Sequence, residues 1–130
     1  MRELTFRIFD KKNKRMIDKC GLIDIDSTHY DIECEDFVFN INGYEIYRSN
    51  MVVNSYTGLN DINGKMIYEG DILKTYTFIG VVSWDNFFGC WRVKEDGIQQ
   101  ITLTQKIAEK CEIIGNIYQN PELLDENKER

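Results

Sequence analysis

The sequence is poor in proline and histidine, with one residue of each among 130. A single proline, together with 12% aromatic residues, argues against an intrinsically disordered chain. One histidine leaves no pair of imidazoles for a metal, and the four cysteines are spaced too widely for a zinc knuckle. We therefore expect Cys20, Cys34, Cys90 and Cys111 to be reduced, small core residues. A metal site or a disulfide is the alternative.

Long apolar runs are also missing, since no stretch approaches the roughly 18 residues of a membrane span. The chain opens with charged residues rather than with the basic and apolar segments of a secretory leader. These features predict a cytoplasmic protein with no membrane partner. The formal net charge of −6 argues against electrostatic binding to nucleic acid.

The motifs of common catalytic machineries are absent from the sequence as well. No serine lies in a Gly-x-Ser-x-Gly elbow, the glycines lack the spacing of a phosphate-binding loop, and no nucleophile motif surrounds Cys20 or Cys34. We therefore expect a non-enzymatic protein without a cofactor.

Short β-rich segments separated by turn residues make up the first half of the chain. Asn42-Gly43 predicts a hairpin, because both residues tolerate positive φ. The close spacing favours a meander-like sheet. The predicted strands are Leu4–Phe9, Arg15–Ile17, Leu22–Ile25, Tyr30–Cys34, Phe37–Ile41 and Tyr44–Tyr47.

The second half has the order of an SH3-like barrel. Gly80 marks a sharp bend or a bulge in one strand. A short helix is predicted over Thr102–Lys110, with Thr104 as its N-cap. The predicted strands are Ile72–Tyr76, Phe78–Trp84, Cys90–Val93, Ile98–Ile101 and Glu112–Ile117.

The predicted fold is therefore mostly β (α+β), with an N-terminal β-rich layer and a C-terminal SH3-like small barrel carrying one short helix. We place the N-terminal subdomain at residues 1–54, the barrel at 55–120 and a charged tail at 121–130, of which Asp125–Arg130 is expected to be disordered.

One segment with three turn glycines indicates a protein family but no particular biochemical activity. Ser55–Ile72, SYTGLNDINGKMIYEGDI, resembles the signature of the YopX family, small proteins of bacteriophages and prophages of Gram-positive bacteria. Met1–Met16 resembles the family's opening and Cys111–Leu124 its close. The resemblance implies a cytoplasmic, phage-encoded protein that self-associates. A host or phage protein is the alternative partner. It supplies no catalytic residues.

Residues 24–36 form an acidic segment with six carboxylates. Asp24, Asp26, Thr28 and Glu35 partly match a calcium loop, but His29 stands where the loop needs glycine. Metal binding here is one hypothesis. The alternative, which we favour, is the solvated face of an edge sheet, with Asp31, Glu33 and Glu35 on one side of a strand.

A single basic patch comprises Lys11, Lys12, Lys14, Arg15 and Lys19. It suggests a second hypothesis, a nucleic-acid-associated module with Tyr44, Tyr47 and Tyr56 as stacking partners. We favour a solvated hairpin tip instead, because the overall charge is negative.

The aromatic residues Trp84, Phe87, Phe88 and Trp91 surround the predicted turn Asp85–Gly89. Trp84 and Trp91 are expected to pack across strands. Phe87 and Phe88 lie at the tip, where exposure predicts a protein contact. The alternative is that they fold back onto the N-terminal layer. The candidate interaction residues are Phe87, Phe88, Trp91, Lys11, Lys12 and Arg15.

Overall fold

Antiparallel strands make up most of the computed structural model, which describes residues 5–21, 25–95 and 99–124. The strands group into two units, one extending to Ser55 and the other starting at Tyr56. The chain passes from the first unit to the second within strand β6 (Met51–Asn60).

In the first unit, β1 pairs with β2 on one side and with the first half of β6 on the other. β3, β4 and β5 form a separate three-stranded sheet in that order. A 3-10 turn, Arg48–Asn50, follows β5. The strands are β1 (Phe6–Asp10), β2 (Arg15–Cys20), β3 (Ile25–Asp31), β4 (Asp36–Ile41) and β5 (Tyr44–Tyr47). The buried core consists of Ile8, Ile17, Cys20, Ile41 and Ile46.

Two turns set the ends of strands in the first unit, one as predicted and one not. Asn42 and Gly43 both have positive φ, 50° and 82°, and form the predicted two-residue hairpin between β4 and β5. The predicted strand Tyr30–Cys34 is wrong beyond Asp31, where the chain turns before β4. The Asp31 carboxylate caps this turn by accepting hydrogen bonds from the backbone N–H groups of Glu33 (3.0 Å) and Cys34 (3.2 Å).

In the second unit, β8 to β11 follow one another as a meander, and β12 returns after helix α1 to pair with β8. This is the strand order of an SH3-like barrel, and helix α1 is short, so the mostly β prediction is confirmed. The second half of β6 pairs with β7. The elements are β7 (Met66–Tyr68), β8 (Asp71–Lys74), β9 (Ile79–Asp85), β10 (Cys90–Glu95), β11 (Gln99–Thr102), α1 (Gln105–Ala108) and β12 (Glu112–Asn116).

The core of the second unit includes residues of the paired strands β9 and β10 and of helix α1. Val82 and Val93 face each other in the ladder and are almost completely buried. Gly80 pairs with Leu73 of β8 without a register shift, so the bulge alternative is wrong. The buried residues of this core are Ile67, Leu73, Phe78, Val82, Val93, Leu103, Ala108 and Cys111.

Helix α1 is shorter than predicted, but its cap is the predicted one. The Thr104 hydroxyl accepts a hydrogen bond from the Ile107 backbone N–H at 3.3 Å, and Ala108 is buried. We expect Thr104→Ala to lower the free energy of unfolding by about 1 kcal/mol, the usual cost of losing an N-cap. Chemical denaturation of both proteins measures the difference. Thr104→Ser keeps the acceptor, so a loss as large as that of alanine would contradict the capping role.

Only part of the core expectation for the four cysteines holds. Cys20 and Cys111 are buried and Cys90 is half-buried, whereas Cys34 is exposed in the β3–β4 turn, so the core prediction is wrong for Cys34. Burial raises the pKa of the Cys111 thiol to about 11, which keeps this sulfur protonated and unreactive at neutral pH.

Some predictions fall outside the described residues. These are the start of the first strand at Leu4, the segment 22–24, the position Ile98 and the tail 125–130. No helix within the described ranges is long and apolar enough to cross a membrane.

Candidate functional site

The turn between β9 and β10 holds two phenylalanines in a fixed, outward position. The Asp85 carboxylate accepts hydrogen bonds from the backbone N–H groups of Phe87 (2.8 Å) and Phe88 (3.1 Å). Gly89 closes the turn at φ +65°, and its N–H donates to the Asp85 carbonyl at 2.8 Å. Aspartate and glycine therefore fix the local conformation from within the turn.

Phe87 and Phe88 are exposed in this turn. Phe87 retains 88% and Phe88 64% of full exposure, and their rings meet edge to face with centroids 4.9 Å apart. The prediction that both residues lie at an exposed tip is confirmed, so two apolar rings form a small contiguous patch.

The base of the hairpin supports this patch. Trp84 and Trp91 pair across the strands with ring centroids 5.1 Å apart, as predicted. Trp91 packs against the core of the unit, whereas Trp84 remains 44% exposed. Arg92 places its guanidinium 5.0 Å from the Phe88 ring centroid and 3.6 Å from an Asp85 carboxylate oxygen. We call Trp84, Phe87, Phe88 and Trp91 the aromatic tip.

The second predicted site, the basic turn at residues 11–15, is organised around a buried carboxylate. Asp10 is almost fully buried and accepts hydrogen bonds from the backbone N–H of Lys12 and the side-chain amide of Asn13. Burial acts to raise the pKa of Asp10, but these hydrogen bonds and the Arg15 charge outweigh it and lower the pKa. The carboxylate thus neutralises part of the local positive charge.

The cation nearest the predicted stacking residues is already engaged. Arg15 forms an ion pair with Asp10 at 3.1 Å, and its guanidinium lies 4.1 Å from the centre of the Tyr44 ring. Lys11 and Lys12 are exposed in the turn. Of the three basic candidate residues, Lys11 and Lys12 therefore face solvent, whereas Arg15 is held by intramolecular contacts.

The hydroxyl groups of the other two predicted stacking residues have intramolecular partners. Tyr47 donates to the Asp31 carboxylate at 2.7 Å, and Tyr56 donates to the Asn60 side chain at 2.6 Å. The hydrogen bond to Asp31 raises the pKa of Tyr47, and it lowers that of Asp31.

The acidic segment does not form the carboxylate-lined strand face that the sequence predicts. Glu33 and Glu35 lie in the turn after β3. Asp36 accepts the backbone N–H of Ser49 at 3.1 Å, and this hydrogen bond lowers its pKa. β3 is an edge strand with Asp26 exposed, as expected of a solvated edge. Among the described residues, no group of three or more His, Cys, Asp or Glu side chains is placed to hold a metal ion.

A groove in the second unit escaped the sequence analysis. It has a volume of about 420 Å³, within the range of ligand pockets. Ile62, Tyr76, Phe78 and Ile107 supply its apolar surface, and we call it the apolar groove. Its remaining lining residues are Thr75, Thr77, Glu109 and Lys110. The exposed Ile62, which interrupts an otherwise polar loop, was the signal available in the sequence.

Asp61 positions one wall of this groove. Its carboxylate is almost fully buried and accepts hydrogen bonds from the backbone N–H groups of Asn63 (2.9 Å), Lys65 (2.9 Å) and Ile113 (3.0 Å). The Ile62 N–H donates to the Cys111 carbonyl at 2.9 Å. These bonds tie the loop before β7 to the start of β12, and leave the Ile62 side chain 61% exposed.

These features define a small, mostly β protein with an SH3-like second unit and two exposed apolar surfaces. The family model described as "YopX protein" matches residues 5–125. The chain belongs to the YopX family, as its Ser55–Ile72 segment predicts.

Two solved structures resemble the chain in fold. Protein EF1440 from Enterococcus faecalis is 24% identical, with a TM-score of 0.63 over 95% of this chain and 99% of that one. Protein yopX from Bacillus subtilis is 19% identical, with a TM-score of 0.53 over 95% of this chain and 97% of that one. No curated protein matches the sequence.

Proposed function

We propose that the chain is a non-enzymatic accessory protein of a phage or prophage that acts in the host cytoplasm through protein–protein contacts made by the aromatic tip. Phage origin rests on membership of the YopX family. The observation that carries the contact role is the exposure of Phe87 and Phe88, 88% and 64%, on a turn that Asp85 holds in place.

The energetics of such a tip favour binding. Removing a phenylalanine side chain from water contributes about 1.5–3 kcal/mol, so two adjacent rings form an anchor of the kind found at the centre of interfaces. Because the Asp85 hydrogen bonds already fix the turn, little conformational entropy is lost when a partner covers it.

The other two hypotheses lack comparable support in the described residues. Arg15 is held by Asp10 and Tyr44, which leaves the basic turn with fewer available phosphate ligands. In the acidic segment, Asp31 caps its own turn and Asp36 accepts the backbone N–H of Ser49 in the 3-10 turn after β5, so both carboxylates have structural partners. These geometries favour the aromatic tip over the basic turn and the acidic segment.

A capture experiment with matched variants tests the proposal. The wild-type protein and the variants F87S/F88S and Y30S/F37S serve as immobilised baits in nuclease-treated lysate of a Gram-positive host, supplemented with a second, differently tagged copy of the chain. The Tyr30–Phe37 pair is a suitable control, because it is also half-exposed and its rings also meet edge to face. We expect the wild type and Y30S/F37S to retain the same protein, and F87S/F88S to lose it.

Equal capture by all three baits would contradict the role of the aromatic tip. Binding of nuclease-sensitive material alone would favour the nucleic-acid hypothesis instead. Circular dichroism and thermal melting establish that each variant remains folded, which we expect because the four replaced side chains are exposed.

A further inference from the structure

We propose that the partner of the aromatic tip is a second copy of this chain, and that Phe87 and Phe88 of one copy dock into the apolar groove of the next. The inference rests on the proposed function and adds to it the partner and the receiving surface. Both surfaces belong to the second unit, so one folded barrel carries the inserted group and its receptor.

The groove matches the tip in size and chemistry. A cavity of about 150 Å³ is known to hold one benzene molecule, so two phenyl rings require roughly twice that volume. The apolar groove provides about 420 Å³. Tyr76, which is fully exposed, and Ile62, at 61% exposure, flank it, and Phe78 and Ile107 complete its apolar lining.

The charges at the edges of the two surfaces are also compatible. Glu109 and Lys110 contribute one acidic and one basic side chain to the lining of the groove. Asp85 and Arg92 contribute one of each beside the tip. Because Asp85 and Arg92 already pair with each other, the tip brings no unbalanced charge to the groove, and the contact between the two surfaces is mainly apolar.

The position of the two surfaces in the barrel excludes an intramolecular contact. The groove residues Thr75–Phe78 directly precede β9, and the tip residues Phe87 and Phe88 follow its end at Asp85. The seven residues of β9 span about 20 Å. Since the tip and the groove lie at opposite ends of this strand, the tip reaches only the groove of another copy.

A contact between two different surfaces has a structural consequence. Such a heterologous interface leaves a free tip at one end and a free groove at the other, so copies add until a ring closes or a filament grows. The assembly is also expected to persist in high salt, because the contact is apolar and salt screens the repulsion between copies of net charge −6.

Complementation between two variants tests this arrangement. F87S/F88S removes the tip and keeps the groove, whereas I62S/Y76S removes exposed groove residues and keeps the tip. Sedimentation velocity measures the association, with one of the two variants dye-labelled in the mixture. Each variant alone is expected to associate at least about tenfold more weakly than the wild type. Mixed together, they are expected to form a one-to-one dimer that does not grow further, because one functional tip meets one functional groove.

Three results would overturn the inference, and they separate it from the proposed function. If F87S/F88S dissociates but I62S/Y76S assembles like the wild type, the tip makes a contact but the groove is not its receptor. If the wild type stays monomeric at all concentrations while still capturing a host protein through the tip, the partner is not a second copy. If Y30S/F37S weakens assembly as much as F87S/F88S, the loss is not specific to the tip.

Discussion

Replacing Asp61 by alanine is expected to lower the free energy of unfolding by at least about 3 kcal/mol. The substitution leaves the backbone N–H groups of Asn63, Lys65 and Ile113 without the carboxylate that accepts from all three. Asp61 is almost fully buried, and backbone donors that lose their acceptor are costly to leave unpaired. Urea denaturation followed by tryptophan fluorescence measures the loss.

Two further variants make this result specific. Asp61→Asn keeps one carbonyl oxygen but turns an NH₂ group toward a donor. We therefore expect its free energy of unfolding to fall less than that of D61A, but still substantially. Asp26→Ala removes an exposed carboxylate in β3 and is expected to change the free energy of unfolding by less than about 0.5 kcal/mol. Equal stability of D61A and D26A would show that the Asp61 hydrogen bonds do not hold the loop.

Replacing Gly80 by alanine is expected to lower the free energy of unfolding by about 1–3 kcal/mol, because the added methyl group overpacks the contact between the paired strands β9 and β10. A Cβ at this position would lie 2.6 Å from Cγ1 of Val93 and 2.9 Å from the carbonyl oxygen of Lys94. Val93 is fully buried and has no room to withdraw. The strands must separate slightly, which weakens the barrel.

A double-mutant cycle with Val93→Ala isolates the cause. Removing Cγ1 of Val93 relieves the closer of the two contacts, so the double variant G80A/V93A is expected to be more stable than the sum of the two single effects predicts. Strict additivity would indicate that the alanine methyl group acts without touching Val93. Guanidinium denaturation of the four proteins provides the comparison.

Features fixed by local chemistry could be predicted from the sequence. Asn42-Gly43 forms its hairpin because both residues adopt positive φ. Thr104 caps its helix through a partner three residues away. The exposure of Phe87 and Phe88 follows from Asp85 and Gly89, all within one turn. In each case the determining interaction spans a few residues and has a recognisable signature.

Features that depend on distant partners could not be predicted in this way. The Ile113 donor lies 52 residues from Asp61, so the sequence indicated a turn but not its buried anchor. The apolar groove combines residues from the loop after β6, the segment before β9 and the region around α1. Local chemistry was also misjudged at Asp31, where a side-chain cap ends a strand that hydrophobic alternation extends to Cys34.

These long-range bonds give the YopX signature segment a physical role in this chain. Asp61 holds the loop against the start of β12, and the loop presents Ile62 at the groove. Loss of the carboxylate is therefore expected to disturb the groove as well as the stability of the barrel. In a D61A protein that remains folded, weaker self-association would follow from the displaced Ile62.

The most direct test of the contact role is sedimentation velocity of the wild type and F87S/F88S over a rising concentration series in high salt. A contact between copies through the aromatic tip predicts that the sedimentation coefficient of the wild type increases with concentration, while that of F87S/F88S stays at the value of a 15.4 kDa monomer. An increase that is the same for both proteins would contradict it.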